Sequence, residues 1–238
     1  MHSVGRLSAA ACDLAGGPVA RWGAPGRFIT ASTVKVGIAA ALLLAAQDDR
    51  RRLTPDERAA VGAMLRVSDN DAASALWAQL GGRRGVDAAH RRLGLVETAA
   101  APGGWWGLTR TTADDQLALL RAVFAEPSPL GRQSRRWLGA LLGTVAPEQR
   151  WGVTAASSAP AEVKNGWVPR SATGLWCVNS VGRIRRDGPE VLVAVLSDGQ
   201  PSMAVGVAAV EDAARAVVRR LREPGAGRPG PDRSGGRA

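Results

Sequence analysis

The chain has 238 residues, 45% of them hydrophobic, so it can bury a sizeable core in one domain or two lobes, and a disordered protein is excluded. Its formal net charge of +10 would permit binding to nucleic acid. The arginines are nevertheless scattered in short groups, without an RNA-binding aromatic signature or a zinc-finger spacing, so we expect no nucleic-acid partner.

The N-terminal region predicts strands. Residues 4–13 and 17–22 alternate around a Gly-Gly-Pro turn and predict a hairpin that leads into the strand-like run 28–31. Cys12 and Cys177 both lie in apolar strand-like runs, which is typical of buried free thiols.

From Thr33 onward the chain is rich in Ala and Leu at helical spacing. The apolar run 37–46 is shorter than the roughly 20 residues of a membrane span, so we expect a buried helix and no membrane span. The residues up to about 149 should form one helical lobe. The predicted helices cover residues 33–47, 55–66, 69–80, 85–93, 113–125 and 129–142.

After Trp151 the strand pattern returns, with a hairpin signal at 185–188, and residues 202–222 predict an amphipathic helix. We therefore expect an α/β (α+β) fold in which residues 1–32 and 150–222 build an antiparallel sheet lobe. An all-helical lobe, residues 33–149, would be inserted between them, and the Gly/Pro/Arg-rich tail 223–238 is expected to be disordered. The late strands are predicted at 161–167, 174–184 and 190–197.

Lysine and asparagine are rare in this chain. Its two lysines are Lys35 and Lys164, and its three asparagines are Asn70, Asn165 and Asn179. A buried ammonium can lose its proton near neutral pH, whereas a guanidinium cannot. A lysine in an arginine-rich chain is therefore a candidate for proton chemistry.

Lys35 ends a Ser-x-x-Lys segment that begins at Ser32, where the first strands end and the long helix starts. The spacing places the amine on the helix face that carries the serine. A neutral Lys35, its pKa lowered by burial and a second cation, could take the serine proton and create an acylating nucleophile. The Ser32 backbone N–H would be one oxyanion donor. Taken alone, the segment also fits a capped helix with a surface lysine.

Two further segments are ordinary when each is taken alone. Ser-Asp-Asn at 68–70 precedes a helix and would suit a plain N-cap, and Lys-Asn-Gly at 164–166 lies on a predicted strand. All three segments in this order, on a helix start, a loop of the helical lobe and a late strand, resemble the serine β-lactamase and penicillin-binding protein superfamily. The resemblance is closest to the class A β-lactamases, in which the active site lies between the two lobes.

That resemblance implies roles for four residues. Ser32 would be the acylated nucleophile and Lys35 its base or activator. Ser68 would relay a proton to the leaving nitrogen, and Lys164 beside it would balance the charge and attract a substrate carboxylate.

The resemblance also implies a substrate-binding surface. Asn70 would bind a substrate amide, and the backbone N–H of Trp167, just past Gly166, would be the second oxyanion donor. Asn165 replaces the family's Thr or Ser, whose hydroxyl binds a substrate carboxylate; an amide can still donate. Trp105, Trp106 and Trp167 are candidates for the cleft wall, although tryptophans next to glycines are as often packing anchors.

One departure from the family concerns turnover. Class A β-lactamases carry a Glu on a loop, and this Glu activates the water that hydrolyses the acyl-enzyme. Here the corresponding segment, 97–109, has Glu97 as its only acid, at a predicted helix end where a cap or surface role is expected. Losing a positioned general base costs roughly 10²–10⁴-fold in rate, so we expect slow deacylation toward β-lactams.

No cofactor or metal is expected, because His2 and His90 stand alone, and His90 should lie on a helix surface. The expected partner is a small-molecule β-lactam, ester or peptide. A monomer is expected, although the sequence leaves the oligomeric state open. The sequence as given carries no export signal, which indicates a cytoplasmic protein, whereas the resemblance implies export if the N-terminus is truncated.

Three functions remain open on the sequence. The first is a serine acyl-enzyme hydrolase acting through Ser32. The second is a penicillin-binding-protein-like D-Ala peptidase, or a biosynthetic acyl hydrolase or transferase. The third is a binding or regulatory pseudoenzyme that keeps the cleft and has lost turnover.

Overall fold

The structure is a computed structural model, and it describes residues 5–186 and 188–223. Strands from both ends of the chain form one antiparallel sheet, as predicted. They are β1 (Leu7–Asp13), β2 (Val19–Gly23), β5 (Glu162–Pro169), β6 (Trp176–Ile184) and β7 (Val191–Gln200). The order β2-β1-β7-β6-β5 places β1 and β7 side by side and leaves β5 at one edge.

A second, two-stranded sheet was not predicted. It pairs β3 (Phe28–Ile29) with β4 (Arg110–Thr111). In the main sheet, Ile184 lies opposite Val191, which agrees with the predicted hairpin at 185–188, although Asp187 lies outside the described residues. The predicted tail 223–238 lies outside them too, except for Glu223.

Seven helices are present in the described part of the chain. They are α1 (Val34–Asp48), α2 (Pro55–Arg66), α3 (Asn70–Gln79), α4 (Gly82–Arg92), α5 (Ala113–Phe124), α6 (Arg132–Leu142) and α7 (Met203–Leu221). The predicted helix 85–93 starts three residues later than α4. Gly81 and Gly82 both have left-handed φ values, 80° and 63°, and α4 already begins at Gly82.

The sheet is buried on both faces. Alternate residues such as Ala11 and Val193 pack with α7, whereas Cys12 and Leu192 face α5. Cys12 and Cys177 are buried free thiols, as expected. The helix α5 therefore belongs partly to the sheet core, although it lies within the predicted helical lobe.

The helix α1 runs through the core of the helical lobe. The stretch Ala31–Asp48 has the length and composition of a membrane span, and 78% of it is buried inside the fold, as expected for a core helix. His90 of α4 packs against α1 at Gly37. A Cβ added at Gly37 would lie only 2.6 Å from the His90 Nε2 atom. The expected surface position of His90 is wrong, since it is 2% exposed and burial lowers its pKa to about 4.

A capping box starts α2 and connects it to the end of α1. The Thr54 hydroxyl accepts from the Glu57 N–H, and the Glu57 carboxylate accepts from the Thr54 N–H. The same carboxylate accepts from Arg51 at 2.8 Å and from Gln79 at 2.6 Å. The bond from Arg51 is the main cause that lowers the Glu57 pKa to about 2.

Glu57→Ala should lower the free energy of unfolding by about 2 kcal/mol at pH 7, because it removes the carboxylate half of the capping box and the main partner of Arg51. A folded pKa below the ordinary 4.5 means that this stabilisation is complete above pH 4.5 and is lost as the pH falls through about 2. Urea unfolding at pH 7 and near pH 2 measures it, with the neighbouring first-turn Asp56→Ala as control. An equal deficit at both pH values would contradict this assignment.

Candidate active site

The amine of Lys35 lies at the centre of the site. It donates to the Ser68 carbonyl at 2.7 Å, to the Ser68 hydroxyl at 3.0 Å and to Asn70 Oδ1 at 2.8 Å. These bonds connect α1 to the loop between α2 and α3. The side chain is 0% exposed, and burial lowers its pKa to about 8, against the smaller opposing effect of Asp69.

Ser32 lies in a 3₁₀ turn, Ala31–Thr33, that leads directly into α1. The Thr30 carbonyl closes this turn by accepting from the Thr33 hydroxyl at 2.8 Å. Ala31 has a φ of 47°, which is strained for a residue with a side chain, and such strain is common at functional sites. Within the described chain, no hydrogen bond engages the Ser32 hydroxyl, which lines an open cleft.

Gly166 on the edge strand β5 packs against the Ser32 turn. A Cβ at this position would lie 2.6 Å from the Ser32 nitrogen and 2.9 Å from the Thr30 carbonyl oxygen. No side chain fits this gap. The glycine therefore lets the strand approach the N–H that was predicted to be an oxyanion donor.

Asn179 on β6 binds the residues that lead into the same turn. Its amide nitrogen donates to the Ile29 carbonyl at 2.8 Å and to the Thr30 carbonyl at 3.0 Å, while its Oδ1 accepts from the Ser197 N–H. Asparagine is rare in this chain, but the sequence predicted no role for Asn179. Its partners are about 150 residues away in the sequence, so no local pattern could have found the contact.

Lys164 approaches the site from β5. Its amine is 0% exposed and donates to the Asn165 carbonyl at 3.0 Å. Burial, and to a smaller extent the positive charge of Lys35, lowers its pKa to about 7. The described residues provide no hydrogen bond between this amine and Ser68, which bonds to Lys35 instead.

The three residues of the segment 68–70 make different contacts. Ser68, with a φ of 59°, brings its carbonyl and hydroxyl to Lys35. The Asp69 carboxylate caps α3 by accepting from the Ala72 N–H at 2.7 Å. Asn70 lines the cleft while its Oδ1 accepts from Lys35. The N-cap interpretation therefore holds for Asp69, while both neighbours belong to the site.

The expected role of Asn165 is contradicted by the direction of its side chain. Its amide nitrogen donates to the Gln149 carbonyl at 2.7 Å and to the Trp151 carbonyl at 3.0 Å. The residue is 0% exposed, and its Oδ1 is buried without a partner. Because the residue is buried and both of its amide hydrogens already have acceptors, its side chain is not available to bind a substrate.

The loop between α4 and β4 places an aromatic ring over Lys35. The Lys35 amine lies 4.8 Å from the centre of the Trp106 ring, and the indole N–H donates to the Ser74 hydroxyl at 3.1 Å. The buried Asp115 carboxylate anchors the start of the loop by accepting from the N–H groups of Val96 and Glu97.

Glu97 does not contribute a base to this site. Its carboxylate lies 3.8 Å from Arg27 in an ion pair whose two side chains are 54% and 48% exposed, so the expected surface role is confirmed. Within the described residues, no carboxylate accepts a hydrogen bond from Lys35 or Lys164.

Above Ser32 the cleft has a volume of about 440 Å³. Its polar lining atoms come from Ser32, Asn70 and Ser74. The apolar walls are Trp105, Trp106, Leu108, Trp167 and Val168. The three tryptophans that were cleft-wall candidates thus all line it, and Trp167 also packs on Trp151, with ring centres 5.8 Å apart.

The arrangement suits nucleophilic catalysis. A free serine hydroxyl lies at a helix N-terminus, and two buried amines with lowered pKa values are present to accept a proton near neutral pH. The serine that bonds to Lys35 can pass a proton onward. Among the described residues, no group of His, Cys, Asp and Glu side chains could hold a metal ion.

Comparison with known proteins relates the chain to one family. Residues 57–221 match the sequence model described as Beta-lactamase enzyme family. The chain is 31% identical over 216 residues to LppW of Mycobacterium tuberculosis, a protein named as a lipoprotein. That alignment covers 82% of the chain, and the chain spans 64% of the length of this relative.

Solved structures share the fold. A class A β-lactamase from Mycobacterium abscessus superposes with a TM-score of 0.72 at 25% identity, over 91% of this chain and 94% of the other. A mutant of PBP-A, solved as an acyl-enzyme complex with penicillin G, gives a TM-score of 0.76 at 18% identity, over 91% and 90%.

The two lysines allow a direct test of the site's electrostatics. Protein labelled with carbon-13 at lysine Cε should give two lysine signals that titrate near pH 8 for Lys35 and near pH 7 for Lys164. Lys35→Met should raise the Lys164 pKa, because the neighbouring positive charge is removed. Lys35→Arg keeps the charge and is the matched control. A Lys164 midpoint at the ordinary value of 10.5 would refute this description.

Gly166→Ala should reduce the reactivity of Ser32 by about 100-fold or more, because the added methyl displaces the strand from the Ser32 N–H. Loss of an oxyanion donor has effects of this size. The overpacking should also cost about 1–3 kcal/mol of stability. Gly107→Ala is the matched control, since it adds a methyl in the same cleft with nothing within 4 Å. Labelling of Ser32 by a fluorophosphonate measures reactivity, and equal rates for the two variants would contradict the prediction.

Proposed function

The chain belongs to the β-lactamase enzyme family, and from that premise we propose that it is a serine acyl-enzyme hydrolase that acts on a β-lactam, amide or ester through Ser32. The observation that carries the proposal is the position of the hydroxyl. Ser32 lies at the start of α1 with its hydroxyl free in the cleft, above the buried amines of Lys35 and Lys164.

Acylation would begin with attack of the Ser32 oxygen on the substrate carbonyl. Neutral Lys35 would accept the serine proton, and the backbone N–H groups of Ser32 and Trp167 would stabilise the oxyanion. As the carbon–nitrogen or carbon–oxygen bond breaks, Ser68 would give its proton to the leaving group and regain one from Lys35. The hydrogen bond between the Lys35 amine and the Ser68 hydroxyl supports this return path.

Lys164 would assist electrostatically. Its charge and that of Lys35 oppose each other in one buried region, so protonation of one amine disfavours protonation of the other. This coupling supports a neutral amine at the pH of the reaction. Because Lys35 is the proton acceptor, acylation should slow as the pH falls through about 8, where its amine becomes protonated.

Deacylation should be slow toward β-lactams. Trp106 covers Lys35, and the only acid in the loop 97–109 is the exposed Glu97. Without a base to activate water, hydrolysis loses roughly 10²–10⁴-fold. The same feature favours an acceptor other than water, so a biosynthetic acyl transferase is the second candidate. A D-Ala peptidase of the penicillin-binding type, which uses water, stays an alternative substrate assignment for the first.

Incubation with benzylpenicillin, followed by intact mass over time, tests the proposal. We expect an adduct that persists for many minutes, is absent in Ser32→Ala, and forms roughly 10²–10⁴-fold more slowly in Lys35→Met, which loses the base. Arg91→Ala, on the exposed side of α4, is a control that should acylate normally.

Two other outcomes carry separate meanings. Hydrolysed penicillin without a detectable adduct would show that an unrecognised base completes turnover. If neither penicillin nor an activated aryl ester modifies Ser32, the chain is better described as a binding or regulatory protein that keeps the cleft.

A further inference from the structure

The geometry of the cleft points to its substrate class: we infer that it prefers acyl donors without a carboxylate beside the scissile bond, such as neutral esters, amides or lactams with an aromatic acyl group. This inference rests on the proposed function, and it replaces the carboxylate contacts that the sequence analysis expected from Lys164 and Asn165.

The walls of the cleft give the first reason. Within the described chain, the residues that line it include no charged side chain. Three tryptophans, Leu108 and Val168 provide an apolar surface, and Ser32, Asn70 and Ser74 provide the polar atoms. A carboxylate that left water for this surface would lose hydration without gaining an ionic partner, which is costly.

The side chain of Asn165 gives the second reason. An amide that replaced the family's hydroxyl could still bind a carboxylate if it faced the cleft. Here both amide hydrogens have acceptors, the Gln149 and Trp151 carbonyls at 2.7 and 3.0 Å. These bonds hold the loop before the 3₁₀ segment Gly152–Ala156 to the back of β5. The side chain therefore has a structural use, and its amide hydrogens are not free to bind a substrate carboxylate.

The two lysines give the third reason. Both are 0% exposed, so neither presents its ammonium to the cleft surface. The three donors of Lys35 are directed at Ser68 and Asn70, and Lys164 donates to the Asn165 carbonyl. Burial also weakens the charge of Lys164, because its pKa falls to about 7. A buried, partly neutral amine is a poor anchor for an anionic substrate.

The experiment compares benzylpenicillin with its methyl ester, which differ only at the carboxylate. Acylation of Ser32 is followed by intact mass, and each rate constant is divided by the rate of the same compound with hydroxide, which removes intrinsic reactivity. We expect the normalised rate to be about tenfold or more higher for the ester, the size expected when one unpaired charge enters a partly desolvated site. The activated ester 4-nitrophenyl phenylacetate is the third probe; the phenylacetyl group that it transfers occurs in benzylpenicillin as the amide side chain.

A charge placed in the wall tests the cause. Val168→Lys puts a cation on the cleft lining and should shift the ratio toward the free acid by about tenfold, whereas the neutral Val168→Gln should not. Both variants are compared as ratios of the two probes, so a general loss of activity cancels.

The outcomes separate the two proposals. An equal or faster reaction of the free acid in the unmodified protein overturns the inference and leaves acylation of Ser32 intact. Failure of all three probes to modify Ser32 overturns both the inference and the proposed function.

Discussion

Burial of the Lys35 amine is the constraint on which the rest of the site depends. Three acceptors on the loop between α2 and α3 hold this amine, so the packing of the helical lobe fixes where the proton acceptor lies. The second amine belongs to Lys164 on β5 of the sheet. Within the described residues, no carboxylate accepts a hydrogen bond from either amine. Desolvation then brings both pKa values toward neutrality, and the positive charge of Lys35 adds to this effect at Lys164. This is the range in which a lysine can exchange protons.

The nucleophile is held by a second set of contacts that have little to do with hydrophobic burial. Gly166 has no side chain to separate β5 from the Ser32 turn. Asn179 donates hydrogen bonds to the Ile29 and Thr30 carbonyls, just before that turn. Ala31 and Ser68 both adopt positive φ values, and they lie on opposite sides of Lys35 in the sequence. The surrounding fold must stabilise this strain, which is consistent with a site organised before substrate arrives.

Trp106 shows how the same scaffold can change its chemistry through one loop. The ring lies over Lys35 in a loop whose only acid points into solvent. An aromatic ring excludes water from the amine, whereas a carboxylate would orient it. Under the proposed function, this arrangement and the apolar walls of the cleft would favour formation of an acyl-enzyme over its hydrolysis. Family membership therefore supports the proposed acylation step more firmly than the deacylation step.

The sequence alone determined the elements and singled out the candidate site residues. Periodicity predicted each of the seven helices and the five strands of the main sheet, because burial of one face or of both imposes a spacing that can be read locally. The scarcity of lysine singled out Lys35 and Lys164, and the tertiary structure buries both. The direction of Asn165, the burial of His90 and the contacts of Asn179 were decided only by the tertiary structure. Each depends on a partner far away in the sequence or on which face of an element meets its neighbour, and a local pattern carries neither.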